Sequence, residues 1–122
     1  MKENNIIRDK SYNFALRIIN LYKYLIKDKN EYIIAKQILR CGTSIGANIE
    51  EAIGSQSDKD FFAKICISYK ESRETNYLLR LLTDSGYINK KQSFSLLNDC
   101  EELLKIIGTI QKTIRTKLNK KS

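Results

Sequence analysis

Apolar side chains recur every three or four residues along most of the chain, which is the spacing of amphipathic helices. The first stripe starts near Asp9 and predicts a helix that ends near Asp28. The inward positions of this helix are Phe14, Ile18, Tyr22 and Leu25.

The next two helices are bounded by residues that favour caps and stops. Asn30 is a predicted cap for the second helix, which stops around Gly54. Ser57 followed by Asp60 resembles a capping box at the start of the third helix, and Gly86 is a natural stop. The second stripe is Ile34, Ile38, Cys41, Ile45, Ile49 and Ala52. The third stripe is Ile65, Tyr69, Ser72, Asn76 and Leu79.

Asn89 can open a fourth helix. Its inner face carries Leu96, Cys100, Leu103, Ile107, Ile110, Ile114 and Leu118. Short connections between helices of similar length favour antiparallel neighbours. The sequence therefore predicts an all-α fold, an antiparallel up-down-up-down four-helix bundle, as a single domain over residues 1–122.

Two of the helices carry more apolar residues than one buried stripe requires. On a helical projection the surplus residues lie away from the predicted core, and such patches usually mark a protein interface. A wide core face is the alternative explanation. The residues of this predicted oligomer interface are Tyr12, Leu16, Ile19, Tyr77, Leu78 and Leu81.

Polar residues interrupt the stripes of helices two and three. Partly buried polar groups need hydrogen-bond partners, so we expect the two rows to meet in a hydrogen-bonded seam. Gly46 and Ala47 are expected to allow close approach of the helices there. The residues of this predicted structural polar seam are Arg40, Ser44, Asn48, Glu51 and Glu71.

The amino-acid composition excludes many kinds of catalytic site. The 122 residues include no His, so the commonest general base and most zinc sites are missing. The three cysteines, Cys41, Cys66 and Cys100, are widely spaced and are expected to be reduced. We expect no enzymatic activity, no catalytic residue, no metal and no cofactor.

Basic residues concentrate at both ends of the sequence, and the formal net charge is +8. Helix electrostatics and solubility explain part of this pattern, but a basic chain is also the footprint of an anionic partner, RNA or DNA. The candidate nucleic-acid contacts are Lys23, Lys27, Lys29, Lys105, Lys112, Arg115, Lys117, Lys120 and Lys121. No apolar run is long enough to span a membrane, so we expect a cytoplasmic protein without membrane contact.

Residues 40–88 resemble a known family. The matching features are Arg40, Ser44-Ile45, Asn48 with Glu51, Ser57, Asp60-Phe61, the helix of Ser68, Lys70, Glu71 and Glu74, then Leu81-Leu82 and Gly86-Tyr87-Ile88. The sequence is similar to the bacterial four-helix-bundle proteins encoded by intervening sequences within large-subunit ribosomal RNA genes.

The resemblance implies a homopentamer with a basic surface. A related branch, the accessory proteins of diversity-generating retroelements, is associated with a reverse transcriptase and with nucleic acid. Two functions therefore remain open from the sequence: an oligomeric protein that binds nucleic acid through its phosphates without base-specific readout, or an interaction module that recruits a partner enzyme such as a reverse transcriptase.

Overall fold

The computed structural model describes residues 2–121, with side chains from 6 to 120. Its four helices are α1 (Lys2–Asp28), α2 (Ile33–Ile53), α3 (Asp58–Asp84) and α4 (Lys90–Lys121). Each helix packs against the two that neighbour it around the bundle, and the described residues show no packing between diagonal pairs. The all-α, up-down-up-down bundle predicted from the sequence is confirmed.

The first helix begins earlier than the apolar stripe suggested. Ile7 lies one heptad before Phe14, and both side chains are almost fully buried. Because a residue seven positions away returns to the same helix face, Ile7 extends the core by two turns. The stripe residues predicted for α4 are buried from Leu96 to Ile114, and Leu118 packs half-buried against the core.

Local capping chemistry explains where α3 and α4 begin. The Ser57 side chain accepts a hydrogen bond from the Asp60 backbone N–H, 3.1 Å away, as predicted. Asn89 and Gln92 cap α4 reciprocally, since the side-chain oxygen of each accepts from the backbone N–H of the other. Gly86, with φ +86°, ends α3 in the left-handed conformation.

The prediction that Asn30 caps α2 is wrong. Asn30 has φ +52° and sits in the left-handed conformation just after α1, a conformation that Asn tolerates better than most residues. The N-cap residue of α2 is Tyr32, which makes no side-chain capping bond. Instead, the Glu31 carboxylate accepts from the backbone N–H of Ala35, 2.9 Å away.

Small residues do allow close helix approach, but at a different interface from the one predicted. A Cβ added to Gly46 would meet atoms of Ser11 on α1, and one added to Gly42 would meet Ile18 on the same helix. Ala47 is exposed. The close approach at these two glycines therefore joins α1 to α2.

Candidate nucleic-acid interface

A row of lysines and threonines follows the outer face of the C-terminal half of α4. Steps of four and three residues place all members on one side of the helix, and all are exposed. We call this set the outer row: Lys105, Thr109, Lys112, Thr116 and Lys120. The two threonine hydroxyls donate to the carbonyls of Lys105 and Lys112, one turn earlier. Both hydroxyls therefore remain acceptors, and the three ammonium groups are the donors of the surface.

Two further cations of α4 lie beside the first turns of α3. The Lys117 ammonium is 3.2 Å from a carboxylate oxygen of Asp58. The Arg115 guanidinium lies 5.5 Å from the centre of the Phe62 ring. Among the described side chains of the predicted cation set, Lys117 is thus the one that pairs with a carboxylate. The side chain of Lys121, the last of the set, lies outside the described residues.

The remaining predicted cations lie at the opposite end of the bundle. Lys23, Lys27 and Lys29 are exposed near the end of α1, and the Lys29 ammonium lies 6.0 Å from the centre of the Tyr24 ring. Because α1 and α4 run antiparallel, this group and the end of α4 are far apart. The structure does not bring the nine predicted residues together into one patch.

The residues of the predicted polar seam lie between α2 and α3. Arg40 donates to Glu71 over 3.0 Å and to Glu74 over 2.7 Å. The hydrogen bond to Glu74 raises the pKa of Arg40 above its usual value, although partial burial opposes the shift. Glu74 was not among the predicted seam residues, but it lies three positions after Glu71 and therefore on the same helix face.

Other predicted seam residues make separate contacts. Ser44 donates to the carbonyl of Arg40, and Asn48 donates to that of Ser44, both within α2. Glu51 forms a 2.9 Å ion pair with Lys64 of α3. Two links are fully buried: the Ser68 hydroxyl donates to the carbonyl of Ile45 over 2.9 Å, and the Thr75 hydroxyl donates to the Cys41 sulfur over 3.1 Å. The seam is thus a ladder of separate bridges, and its contacts are structural.

All three cysteines are free thiols. Burial raises the pKa of Cys41 to about 11 and that of Cys100 to about 12. Cys41 accepts a hydrogen bond from Thr75, and Cys66 accepts one from Gln111. Buried thiols of raised pKa are poor nucleophiles and metal ligands. In the described part of the chain, no three Cys, Asp or Glu side chains cluster closely enough to hold a metal ion.

The predicted oligomer interface is mostly accessible. Tyr12, Leu16, Tyr77 and Leu81 are exposed, and Ile19 is partly buried. One prediction is wrong: Leu78 is only 3% exposed and belongs to the core. It points towards α2, since Leu78 lies one turn after the Glu74 that bridges to Arg40.

Several accessible residues were missed by reasoning from the sequence. Phe94 is 69% exposed on the first turns of α4. Thr109 and Thr116 were not predicted to belong to the surface, because uncharged residues do not stand out in a search for cations. Their spacing from Lys105 could have placed them in the outer row. None of the helices described is long and apolar enough to cross a membrane.

The bundle and its exposed cations define a basic, all-α protein. The sequence profile of the family described as 23S rRNA-intervening sequence protein matches residues 3–109. The chain belongs to this family, as the resemblance of residues 40–88 indicated. No curated protein matches the sequence.

A solved crystal structure is also similar. It is described as that of a protein with unknown function from the S23 ribosomal protein family of Bacteroides thetaiotaomicron, and it is 48% identical to this chain. The alignment covers 90% of this chain and 98% of that one, with a TM-score of 0.89. The likeness therefore extends over nearly the whole bundle.

Proposed function

We propose that this protein is a non-enzymatic homo-oligomer, a pentamer as the resemblance to its family implies, that binds RNA or DNA through phosphate contacts without base-specific readout. The observation that carries the proposal is the state of the cations of α4. The ammonium groups of Lys105, Lys112 and Lys120 are exposed, and none forms an ion pair among the described side chains.

Charge left without internal partners favours a polyanionic ligand. Five bases outside the predicted cation set form cross-helix ion pairs among the described side chains, such as Arg8 with Glu50 and Arg17 with Asp99. From Lys105 to the end of the chain there is no acidic residue. The lysines of such a surface replace cations that are condensed on the phosphates of an extended polyanion, and the release of those cations supplies most of the free energy of non-specific binding.

The exposed apolar residues of α1 and α3 support self-association. Tyr12 and Leu16 on α1 are 63% and 47% exposed, and Tyr77 on α3 is 51% exposed. Large apolar side chains in such positions are typical of faces that another protein covers. Oligomers would multiply the +8 charge of each chain and extend the cationic surface.

The test combines light scattering with ultraviolet absorbance on freshly purified protein, before and after a high-salt wash. The chain has seven Tyr and no Trp, so its own absorbance is weak and bound nucleic acid is easily detected. We expect a mass several times 14.2 kDa and a nucleic-acid contribution that the salt removes. A single chain that binds nucleic acid equally at low and high salt would contradict the proposal.

A second function is favoured by the α3 face. Tyr77 and Leu81 are exposed there beside Ile67, so the same surface suits a protein partner, such as a reverse transcriptase. In that case the positive charge mainly serves solubility. Loss of the partner in Leu81→Asp, with an unchanged oligomeric mass and unchanged nucleic-acid affinity, would favour this alternative.

A further inference from the structure

We infer that a nucleic-acid duplex lies along the outer row of α4 and is held there by its phosphates. This inference rests on the proposed function and assigns it one site and one form of ligand. The outer row is the longest stretch of the described surface on which exposed bases and hydroxyls alternate along one helix face without an acidic residue.

The geometry of the row suits a stiff ligand. Lys105 and Lys120 are fifteen residues apart, so the row is about 22 Å long, and Lys112 divides it into steps of about 10 and 12 Å. The helix is continuous through these positions. The backbone positions that carry its cations therefore have fixed spacings, and a duplex, which is stiff over this length, presents phosphates at equally fixed spacings.

The row offers nothing for unpaired bases to stack on. Proteins that bind single strands combine cations with exposed aromatic platforms. Two rings of α3 lie close to this part of α4, and both are half-buried: Tyr69 lies against Gly108, and Phe62 lies under Arg115. The exposed Phe94 lies eleven residues before Lys105, about 16 Å away along the helix. Contacts along the row therefore recognise the backbone of a duplex.

The cations at the end of α1 form a less suitable site. Asp28 and Glu31 lie within the same stretch of chain, so positive and negative groups alternate there. The outer row has no acidic member. Two acids precede it on α4: Glu102 is paired with Lys10 of α1 over 3.0 Å, and Glu101 is exposed one turn before Lys105, at the end of the row.

The outer row is separate from the predicted oligomer interface. That interface lies on α1 and α3, whereas the outer row lies on α4, so an oligomer formed through it would leave the row accessible. The family match ends at residue 109, before Lys112 and Lys120.

The experiment compares two variants of equal charge by fluorescence anisotropy. The row variant is Lys105→Gln, Lys112→Gln and Lys120→Gln. The control variant is Lys23→Gln, Lys27→Gln and Lys29→Gln. Each removes three exposed ammonium groups and touches no core residue. The probes are a labelled duplex of about 20 base pairs, as RNA and as DNA, and an oligouridylate strand of the same length, at about 50 mM salt.

We expect the row variant to bind both duplexes about tenfold or more weakly than the wild type. The slope of log affinity against log salt concentration is expected to decrease in magnitude by about two to three, which is about one for each lost phosphate contact. The control variant is expected to lose about threefold or less. Wild-type affinity for the strand is expected to be lower than for either duplex.

Each contrary outcome has a distinct meaning. Equal losses in the two variants would overturn the inference and leave the proposed function standing. Equal wild-type affinity for strand and duplex would also overturn the inference, because the ligand would then not be recognised as a duplex. Failure of the wild type to bind any of the three probes would overturn the proposed function itself.

Discussion

The α-carbon of Gly42 faces the side chain of Ile18 across the α1–α2 interface. A Cβ at position 42 would lie 2.8 Å from both γ-carbons of Ile18. Ile18 is fully buried and β-branched, so its side chain has little freedom to move aside. The distance between α1 and α2 is therefore set by the absence of a side chain at one position.

Gly42→Ala is expected to lower the free energy of unfolding by about 1–2 kcal/mol. Overpacking costs about 1–3 kcal/mol, and the better helix propensity of Ala offsets up to about 1 kcal/mol of that. Urea unfolding followed by circular dichroism measures the change. The control is Gly108→Ala, whose Cβ would lie 3.4 Å from the Tyr69 ring, an ordinary contact. That variant is expected to be neutral or stabilised, and equal destabilisation of both would contradict the argument.

Gly86→Ala is expected to destabilise the bundle by about 1 kcal/mol. The cause is the backbone conformation alone, since φ is +86° and no atom lies within 4 Å of an added Cβ. Asn tolerates this conformation better than Ala, so Gly86→Asn should lose less stability. Thermal unfolding of the two variants ranks them, and a more stable Ala variant would exclude the explanation.

The three thiols are expected to react at very different rates. Native protein treated with iodoacetamide near neutral pH should be alkylated first at Cys66, which is partly exposed. Cys41 and Cys100 should react only after unfolding, because burial raises their pKa values to about 11 and 12 and also blocks access. Mass spectrometry of native and urea-treated samples counts the adducts, and early modification of Cys100 would refute this assignment.

The same thiols predict a loss of stability at high pH. A thiol whose pKa rises on folding keeps its proton in the folded state while the unfolded chain loses it. Stability is therefore full below pH 9, the ordinary thiol value, and falls as the pH rises towards 11 to 12. Unfolding midpoints measured from pH 8 to 11 should fall less in Cys100→Ala, measured relative to its own midpoint at pH 8, than in the wild type.

Substitutions on the apolar faces are expected to separate assembly from folding. Leu16→Asp on α1 and Leu81→Asp on α3 change exposed positions, so each should keep its helix content while the mass by light scattering falls. Leu78→Asp is the contrast, because that side chain is 3% exposed and a buried carboxylate costs several kcal/mol. It should unfold the chain. Unchanged mass in both surface variants would place the interface elsewhere.

Lys112 and Lys117 are expected to contribute unequally to nucleic-acid binding. The Lys117 ammonium already pairs with the carboxylate of Asp58, whereas Lys112 has no ion-pair partner among the described side chains. Lys112→Gln should therefore lower the magnitude of the slope of log affinity against log salt concentration by about one, and Lys117→Gln should lower it by less. Lys70→Gln on α3 controls for the general loss of charge. A larger effect at Lys117 would contradict this ranking.

The sequence predicted the bundle well because helix signals are local. Ser57 with Asp60, Asn89 and Gly86 act through contacts a few residues away, and each was identified from spacing alone. The prediction for Asn30 was wrong because Asn suits both a helix N-cap and a left-handed turn. The residue type alone does not show which of the two conformations it adopts.

The placement of the site depends on contacts between helices, which spacing does not encode. Leu78 was predicted to face outward, opposite the core stripe of α3. The orientation of α3 that brings Glu71 to Arg40 also places Leu78 in the core. Likewise, nothing in the local sequence showed that Lys117 would find Asp58, fifty-nine positions earlier. A helical projection shows which residues share a face of a helix, but not which neighbouring helix that face contacts.

The length of α4 has a consequence for recognition. With 32 residues it is the longest of the four helices, and the C-terminal turns that carry its cations are as regular as the rest. In the proposed complex the duplex meets a helix that is already formed, so the protein would lose little backbone conformational entropy on binding. The helix axis would not adapt to the ligand, and the affinity would then depend on how easily the duplex itself deforms.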